Sequence, residues 1–291
     1  MDLSTEGLHA SGLGLDQLAP RELAELMSRA NREAVEAVAG ATEAIARAIE
    51  LCAEALAGDG RLVLVGAGTS ARVAVSEAAE CPPTFDTDPS RVIAIPAGGD
   101  AAMLKAIEGA EDDRAAGEAA IREADIGAGD FVLGISASAR APFVRAAVEA
   151  AAARGASTGF VTSNPEGSGL PGLDIVLATG PEVLSGSTRL KAATAAKCAL
   201  NAITTGAMAR LGRIHGQLMV EVRPTNEKLR QRAARIIATL GEVEGERAEA
   251  LLEECEGDVK EAIVRARLNL SRDEARARLE AKGRRLREII G

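Results

Sequence analysis

The chain has 291 residues and a formal net charge of −9, so bulk attraction to nucleic acid is disfavoured and any bound phosphate must be held by local groups. Four widely spaced cysteines with no CxxC pair and two histidines suggest neither a zinc cluster nor a disulfide framework. With no Trp or Tyr, stacking of bases or sugars on aromatic rings is also disfavoured. Met1 to Glu6 lack a basic, apolar leader pattern and no apolar run approaches a membrane span, which points to a cytoplasmic protein with no membrane or nucleic-acid partner.

In chain order, Leu23, Leu26, Ala30, Ala34, Val35, Val38, Ile45, Ile49 and Leu56 recur near helical spacing, and Gly58-Asp59-Gly60 closes the pattern. One or two long helices are expected in an N-terminal helical segment, 1–57. From Arg61 the texture changes to short apolar runs separated by helical patterns: Leu62–Val65, Val92–Ile95, Phe131–Ile135, Thr158–Val161 and Ile175–Ala178. Strands alternating with helices predict an α/β domain over 58–222, a doubly wound parallel sheet that binds its ligand at the carboxyl ends of its strands. The alanine-rich run Lys191–Leu211 reads as a buried helix broken by Gly212. Four shorter amphipathic patterns, 226–240, 246–254, 257–267 and 271–289, predict a small C-terminal helical domain over 223–291.

Three expected strand ends carry small or hydroxyl residues: Gly66-Ala67-Gly68-Thr69-Ser70, Ser136-Ala137-Ser138-Ala139-Arg140 and Ser185-Gly186-Ser187-Thr188-Arg189. Gathered at one rim of a sheet, they offer backbone N–H groups, hydroxyls and a helix dipole to an anion, and a phosphate is expected there. Read singly, each is an ordinary turn or cap. The P-loop lysine motif and the dinucleotide GxGxxG are missing, which disfavours nucleotide binding. Glu80, beside Cys81-Pro82-Pro83, and Glu111, in Glu108-Gly109-Ala110-Glu111-Asp112-Asp113, can divide acid and base roles if both face one pocket; otherwise they are an exposed helix end and a solvated acidic run. Cys81 has no basic neighbour in sequence to activate it, and His215 reads as a packed or surface residue. Lys191, Lys197 and Lys228 are either phosphate contacts or solvated lysines.

Taken together with Ala97-Gly98-Gly99, Ser163-Asn164-Pro165, Gly186-Ser187-Thr188-Arg189-Leu190-Lys191 and Thr225-Asn226-Glu227-Lys228-Leu229, these segments resemble the N-acetylmuramic acid 6-phosphate etherases of the sugar isomerase (SIS) superfamily. The match runs in family order from about Thr5 to the C-terminus, and 249–263 is similar to a ubiquitin-associated three-helix module. The resemblance implies cleavage of the D-lactyl ether of N-acetylmuramic acid 6-phosphate to N-acetylglucosamine 6-phosphate and D-lactate, with no metal or organic cofactor. It implies that Glu80 acts as the acid, sheltered by burial, and Glu111 as the base at C2. It further implies substrate or phosphate contacts from Gly68, Thr69, Ser70, Ser136, Ser138, Ser187, Lys191, Asn226 and Lys228, and a homodimer using the N-terminal helices and the alanine-rich helix.

The family usually has glycine where this chain has Ala71, Ala139 and Ala193, and threonine where it has Ala141. Two further readings therefore stay open from sequence: a non-catalytic regulatory protein that binds a sugar phosphate, and an SIS enzyme acting on another phosphosugar.

Overall fold

A computed structural model describes residues 7–12 and 14–291; Met1 to Glu6, read above for a leader pattern, lie outside the described residues. The chain packs as two compact units. One takes the chain up to Ala79 together with Pro89–Thr204; the other takes Glu80–Asp88 together with Thr205–Gly291.

In the first unit, α1 (Pro20–Gly40) begins with proline at its first turn, where a missing N–H costs nothing, and the Glu22 carboxylate accepts from the Ala19 N–H at 2.9 Å. Leu26, Ala30 and Ala34, four residues apart, form its buried stripe. Val35, counted above in the apolar pattern, falls off that stripe and is exposed. Helix α2 (Thr42–Ala57) follows and buries Ile45, Ala48 and Cys52.

The chain then alternates strands and helices: β1 (Leu62–Gly66), α3 (Gly68–Phe85), β2 (Val92–Pro96), the short α4 (Ala101–Leu104), α5 (Arg114–Glu123), β3 (Phe131–Ile135), α6 (Pro142–Ala153), β4 (Ser157–Thr162), β5 (Leu173–Val176) and α7 (Lys191–Arg210). All five strands are parallel, in the order β2-β1-β3-β4-β5, and every residue of β1 and β3 is buried. This is the expected doubly wound α/β sheet. The fifth strand starts earlier than its apolar run, because Leu173–Val176 pair with Gly159–Thr162, leaving Leu177 one further bond to Thr162 O. Helix α5 lies tight on α6: a Cβ at Gly117 would stand 2.2 Å from Phe143 O.

In β1 and β3 the register sets Gly66 opposite Ile135, so the two strands end side by side. Both are followed by loops that open a helix. The carboxyl rim is therefore where the chain can build a ligand site.

The second unit contains a small hairpin, β6 (Ile214–His215) with β7 (Leu218–Met219), and α8 (Glu227–Gly241), α9 (Gly245–Glu254), α10 (Val259–Leu268), α11 (Arg272–Glu280) and α12 (Arg287–Ile290). Side chains set several starts: Asn226 accepts from the Leu229 N–H and Asp258 from the Glu261 N–H, each at 2.9 Å, and Ser271 with Glu274 forms a reciprocal capping box. The expected single pattern over 271–289 is two helices, because Gly283 and Arg284 take positive φ and break it. Ile237, Leu251, Ile263, Val264 and Leu279 form the core of this unit. Among the described residues, no helix is long and apolar enough to cross a membrane.

Candidate active site

The β1–α3 turn needs glycine twice. A Cβ on Gly66 would come within 2.7 Å of Ala71 N and 2.8 Å of Ser70 C, and Gly68 has φ +54°. With Ala71 N bonded back to Ala67 O, the N–H groups of Gly68, Thr69 and Ser70 have no partner within the helix. They open into a cleft of about 400 Å³ in the first unit.

Its walls come from all three loops singled out in the sequence. Gly68, Thr69, Ser70, Ser136 and Ser138 line it as expected, with Gly186 and Thr188 from the third loop and Glu111 beside Asp112. The 136–140 loop is pinned to the sheet: Ser136 N donates to Val161 O, and Ala137 O accepts from Ser163 N and from Thr162 Oγ1. Arg145 closes it from behind, donating to Ala139 O at 2.9 Å and Ser168 O at 2.8 Å. Ala139 sits in this loop at φ +59°, left-handed backbone that suits glycine.

Glu111 is placed by its neighbours. Gly109, at φ +75°, turns the chain into a short 3-10 turn, Ala110–Asp112, and Asp113 then caps α5 by accepting from Ala116 N at 2.9 Å. The acidic run thus has two roles: its last member is a helix cap, while Glu111 and Asp112 face the cleft.

The remaining expected residues lie elsewhere. Ser187 is not among the lining residues; Gly186 and Thr188 on either side of it are, and Ser187 N is turned into a bond to Leu184 O. Lys191 is buried and donates to Glu33 of α1 at 2.7 Å. Its own N–H and that of Ala192 are taken by the fully buried Glu182 carboxylate, so the α7 terminus is satisfied internally. Lys197 pairs with the buried Glu77 at 2.5 Å. Asn226 is the cap of α8 and Lys228 is exposed on that helix, both in the second unit.

Glu80 is exposed in this chain, against the burial expected of it, and is not among the residues that line the cleft with Glu111. The buried stripe of α3 runs through Ala71, Ala74, Glu77, Cys81 and Phe85, at spacings of three and four, and Glu80 falls beside that stripe. His215 is packed: burial pushes its imidazole below the ordinary histidine range, Arg287 adds to the effect, and its Nδ1 has no hydrogen-bond partner.

Two cleft residues carry more chemistry than the sequence reading gave them. Arg140 is the one cation lining the cleft among the described residues, and Thr188 supplies the hydroxyl expected of Ser187. Both stood within the quoted loops; a loop's composition does not say which of its members turns inward. Hydroxyls, free N–H groups and a guanidinium suit a phosphate, and a carboxylate in the same cleft suits proton abstraction.

Comparison with known proteins bears on this cleft. The family model of the glucokinase regulatory protein N-terminal SIS domain matches residues 44–152, which include β1, the α3 terminus, Glu111 and the 136–140 loop. A solved phosphoheptose isomerase from Neisseria gonorrhoeae is similar at TM-score 0.48 and 21% identity, covering 65% of this chain and 98% of that one. The N-acetylmuramic acid 6-phosphate etherase of Deinococcus radiodurans is 42% identical over 289 residues, 99% of this chain and 95% of the relative. That of Gloeobacter violaceus is 48% identical over 284 residues, 97% of this chain and 92% of the relative. With identity sustained from the N-terminal helices through the C-terminal module, the chain belongs to the N-acetylmuramic acid 6-phosphate etherase family.

Proposed function

We propose that this chain cleaves the D-lactyl ether of N-acetylmuramic acid 6-phosphate, adding water to give N-acetylglucosamine 6-phosphate and D-lactate. The observation that carries the reading is a carboxylate, Glu111, sharing one cleft with an anion-binding rim, in a chain whose near full-length relatives bear that name.

The phosphate is assigned to the free N–H groups of Gly68–Ser70, the hydroxyls of Thr69, Ser70, Ser136, Ser138 and Thr188, and Arg140. Glu111 takes the C2 proton of the open-chain sugar, which the neighbouring aldehyde acidifies. The C2–H electron pair becomes the C2–C3 double bond as the C3–O bond breaks. The departing ether oxygen leaves poorly unless it is protonated, and that proton is assigned to Glu80 on its match to the family's Glu-Cys-Pro-Pro-Thr segment, not on a place among the residues that line the cleft. Water then adds its oxygen at C3 and C2 regains a proton, so one water is consumed and no electrons are gained or lost.

A homodimer belongs to the same proposal. Its support is the placement of exposed apolar side chains: Leu8, Val35 on α1, and Leu184, next to the Val183 that packs against Leu26 and Ala30 of α1. Because a charged sugar phosphate does not cross a bilayer unaided, the reaction is assigned to the cytoplasm. The test is D-lactate release by the wild-type chain, with Glu80→Ala and Glu111→Gln alongside.

A further inference from the structure

We propose that Arg72 is the positioning residue of Glu111: its guanidinium ties the segment that carries Glu111 to the phosphate-binding terminus of α3. The proposal rests on the assignment of Glu111 as the base.

Arg72 lies two residues beyond Ser70, on the first turns of α3. Its half-buried side chain donates from Nε to Met103 O and from Nη2 to Ala102 O, both at 3.0 Å. These are consecutive carbonyls in the last turn of α4, a helix of four residues, so neither has an acceptor role inside its own helix. A planar, charged fork fits two neighbouring carbonyls, and a cation at a helix carboxyl end is electrostatically favourable. Little else holds α4 at its far end: Leu104 is 92% exposed.

The segment then folds back on itself. Gly98, at φ +82°, lies where an added Cβ would stand 3.2 Å from Ala110 Cβ, 3.2 Å from Ile107 Cδ1 and 3.3 Å from Ala102 Cβ. Ala102, whose carbonyl Arg72 holds, and Ala110, the residue before Glu111, thus both close on Gly98, which leaves no room for a side chain between them. Through that shared neighbour the hold on Ala102 bears on the segment that carries Glu111. Arg72 itself does not line the cleft, so its effect reaches the reacting atoms only through the placement of Glu111.

This arrangement makes the spacing between phosphate site and base a property of one side chain. Phosphate held on Gly68–Ser70 places the sugar, and Arg72 places the carboxylate relative to that same helix turn. Loss of the fork should spare binding and harm the chemical step, since a small misplacement of a reacting group costs rate steeply.

The experiment compares Arg72→Gln, Arg72→Lys and Glu111→Gln with wild type. It measures kcat and KM for D-lactate release, Kd for N-acetylglucosamine 6-phosphate by calorimetry, and melting temperature. For Arg72→Gln the expected result is a loss in kcat of about 10- to 100-fold, with Kd within about 3-fold of wild type and KM little changed. Arg72→Lys should recover part of the rate, since one ammonium can serve one of the two carbonyls. Wild-type kcat in Arg72→Gln, or kcat and affinity lost together, would overturn the proposal. If turnover collapses in Glu111→Gln but not in Arg72→Gln, only this proposal fails; wild-type turnover in Glu111→Gln removes the base assignment and this proposal with it.

Discussion

Ala141 shows how a single side chain bears on both folding and the site. It stands at the start of α6, directly before Pro142, with non-helical backbone at φ −53° and ψ 111° and no side-chain hydrogen bond to the helix, and it lines the cleft. Threonine at this position can cap the free N–H groups of the first turn, an effect of about 1 kcal/mol in known helices. Ala141→Thr is therefore expected to raise the unfolding free energy by that amount, seen as a higher urea midpoint, and to lower KM by adding a hydroxyl to the anion rim. An unchanged midpoint would mean that the α6 terminus is not available to a cap. Ala139 carries a comparable burden, since a Cβ in left-handed backbone costs roughly 1–2 kcal/mol at its φ of +59°. At this scale Thr69, Ser70, Ser136, Ser138 and Glu111 were legible in sequence because their types and turn contexts point to anion and proton chemistry. Lys191 was not: the destination of its ammonium depends on Glu33, which comes from a distant part of the chain.

At the scale of elements, legibility followed burial. The strands β1 and β3 are buried at every position, so their apolar runs match their bounds. β5 sits at the sheet edge, where pairing with β4 rather than hydropathy sets its start. The β6–β7 hairpin has two residues per strand, too few for an alternation to show. Nor does amphipathic spacing reveal charges buried inside a helical module. Lys260 of α10 is one: its ammonium donates to Gly212 O at 2.9 Å, Glu221 Oε1 at 2.5 Å and Arg284 O at 2.7 Å, with a side chain only 2% exposed. Burial pushes that ammonium below the usual lysine range, against the pull of Glu221. Its neighbour Glu261 is likewise buried and held by Arg272 and Arg276. Removing Lys260 leaves the Glu221 carboxylate with Arg213 at 3.5 Å as its remaining ion-pair partner and two carbonyls without their donor, so Lys260→Met should cost up to about 3–5 kcal/mol in chemical denaturation of the full chain. A loss under about 1 kcal/mol would show that Glu221 finds water or another donor.

For the molecule as a whole, alternation of strands and helices was enough to read a doubly wound sheet followed by a helical module. The grouping of Glu80–Asp88 with residues beyond Thr205 had no such signal, because it joins segments far apart in sequence. The apolar surface open to the proposed dimer is narrower than expected. α7 buries Ala192, Ala195, Ala199, Leu200, Ile203 and Ala207 within the chain, leaving the exposed Leu8, Val35 and Leu184 as the apolar side chains near α1. Sedimentation at micromolar concentration should give a dimer, and Val35→Glu with Leu184→Glu should shift it toward monomer. A wild-type monomer under those conditions removes the dimer from the proposal.

Glu80 and Glu111 are proposed to carry an elimination on a sugar bound through its phosphate. D-lactate release from N-acetylmuramic acid 6-phosphate by wild type, Glu80→Ala and Glu111→Gln tests it most directly, with N-acetylglucosamine 6-phosphate binding measured on each. Release by wild type and a collapse of about 100-fold or more in both variants are expected, with binding retained. Release that persists in either variant, or a folded wild-type protein that binds the sugar phosphate and releases no lactate, would contradict it.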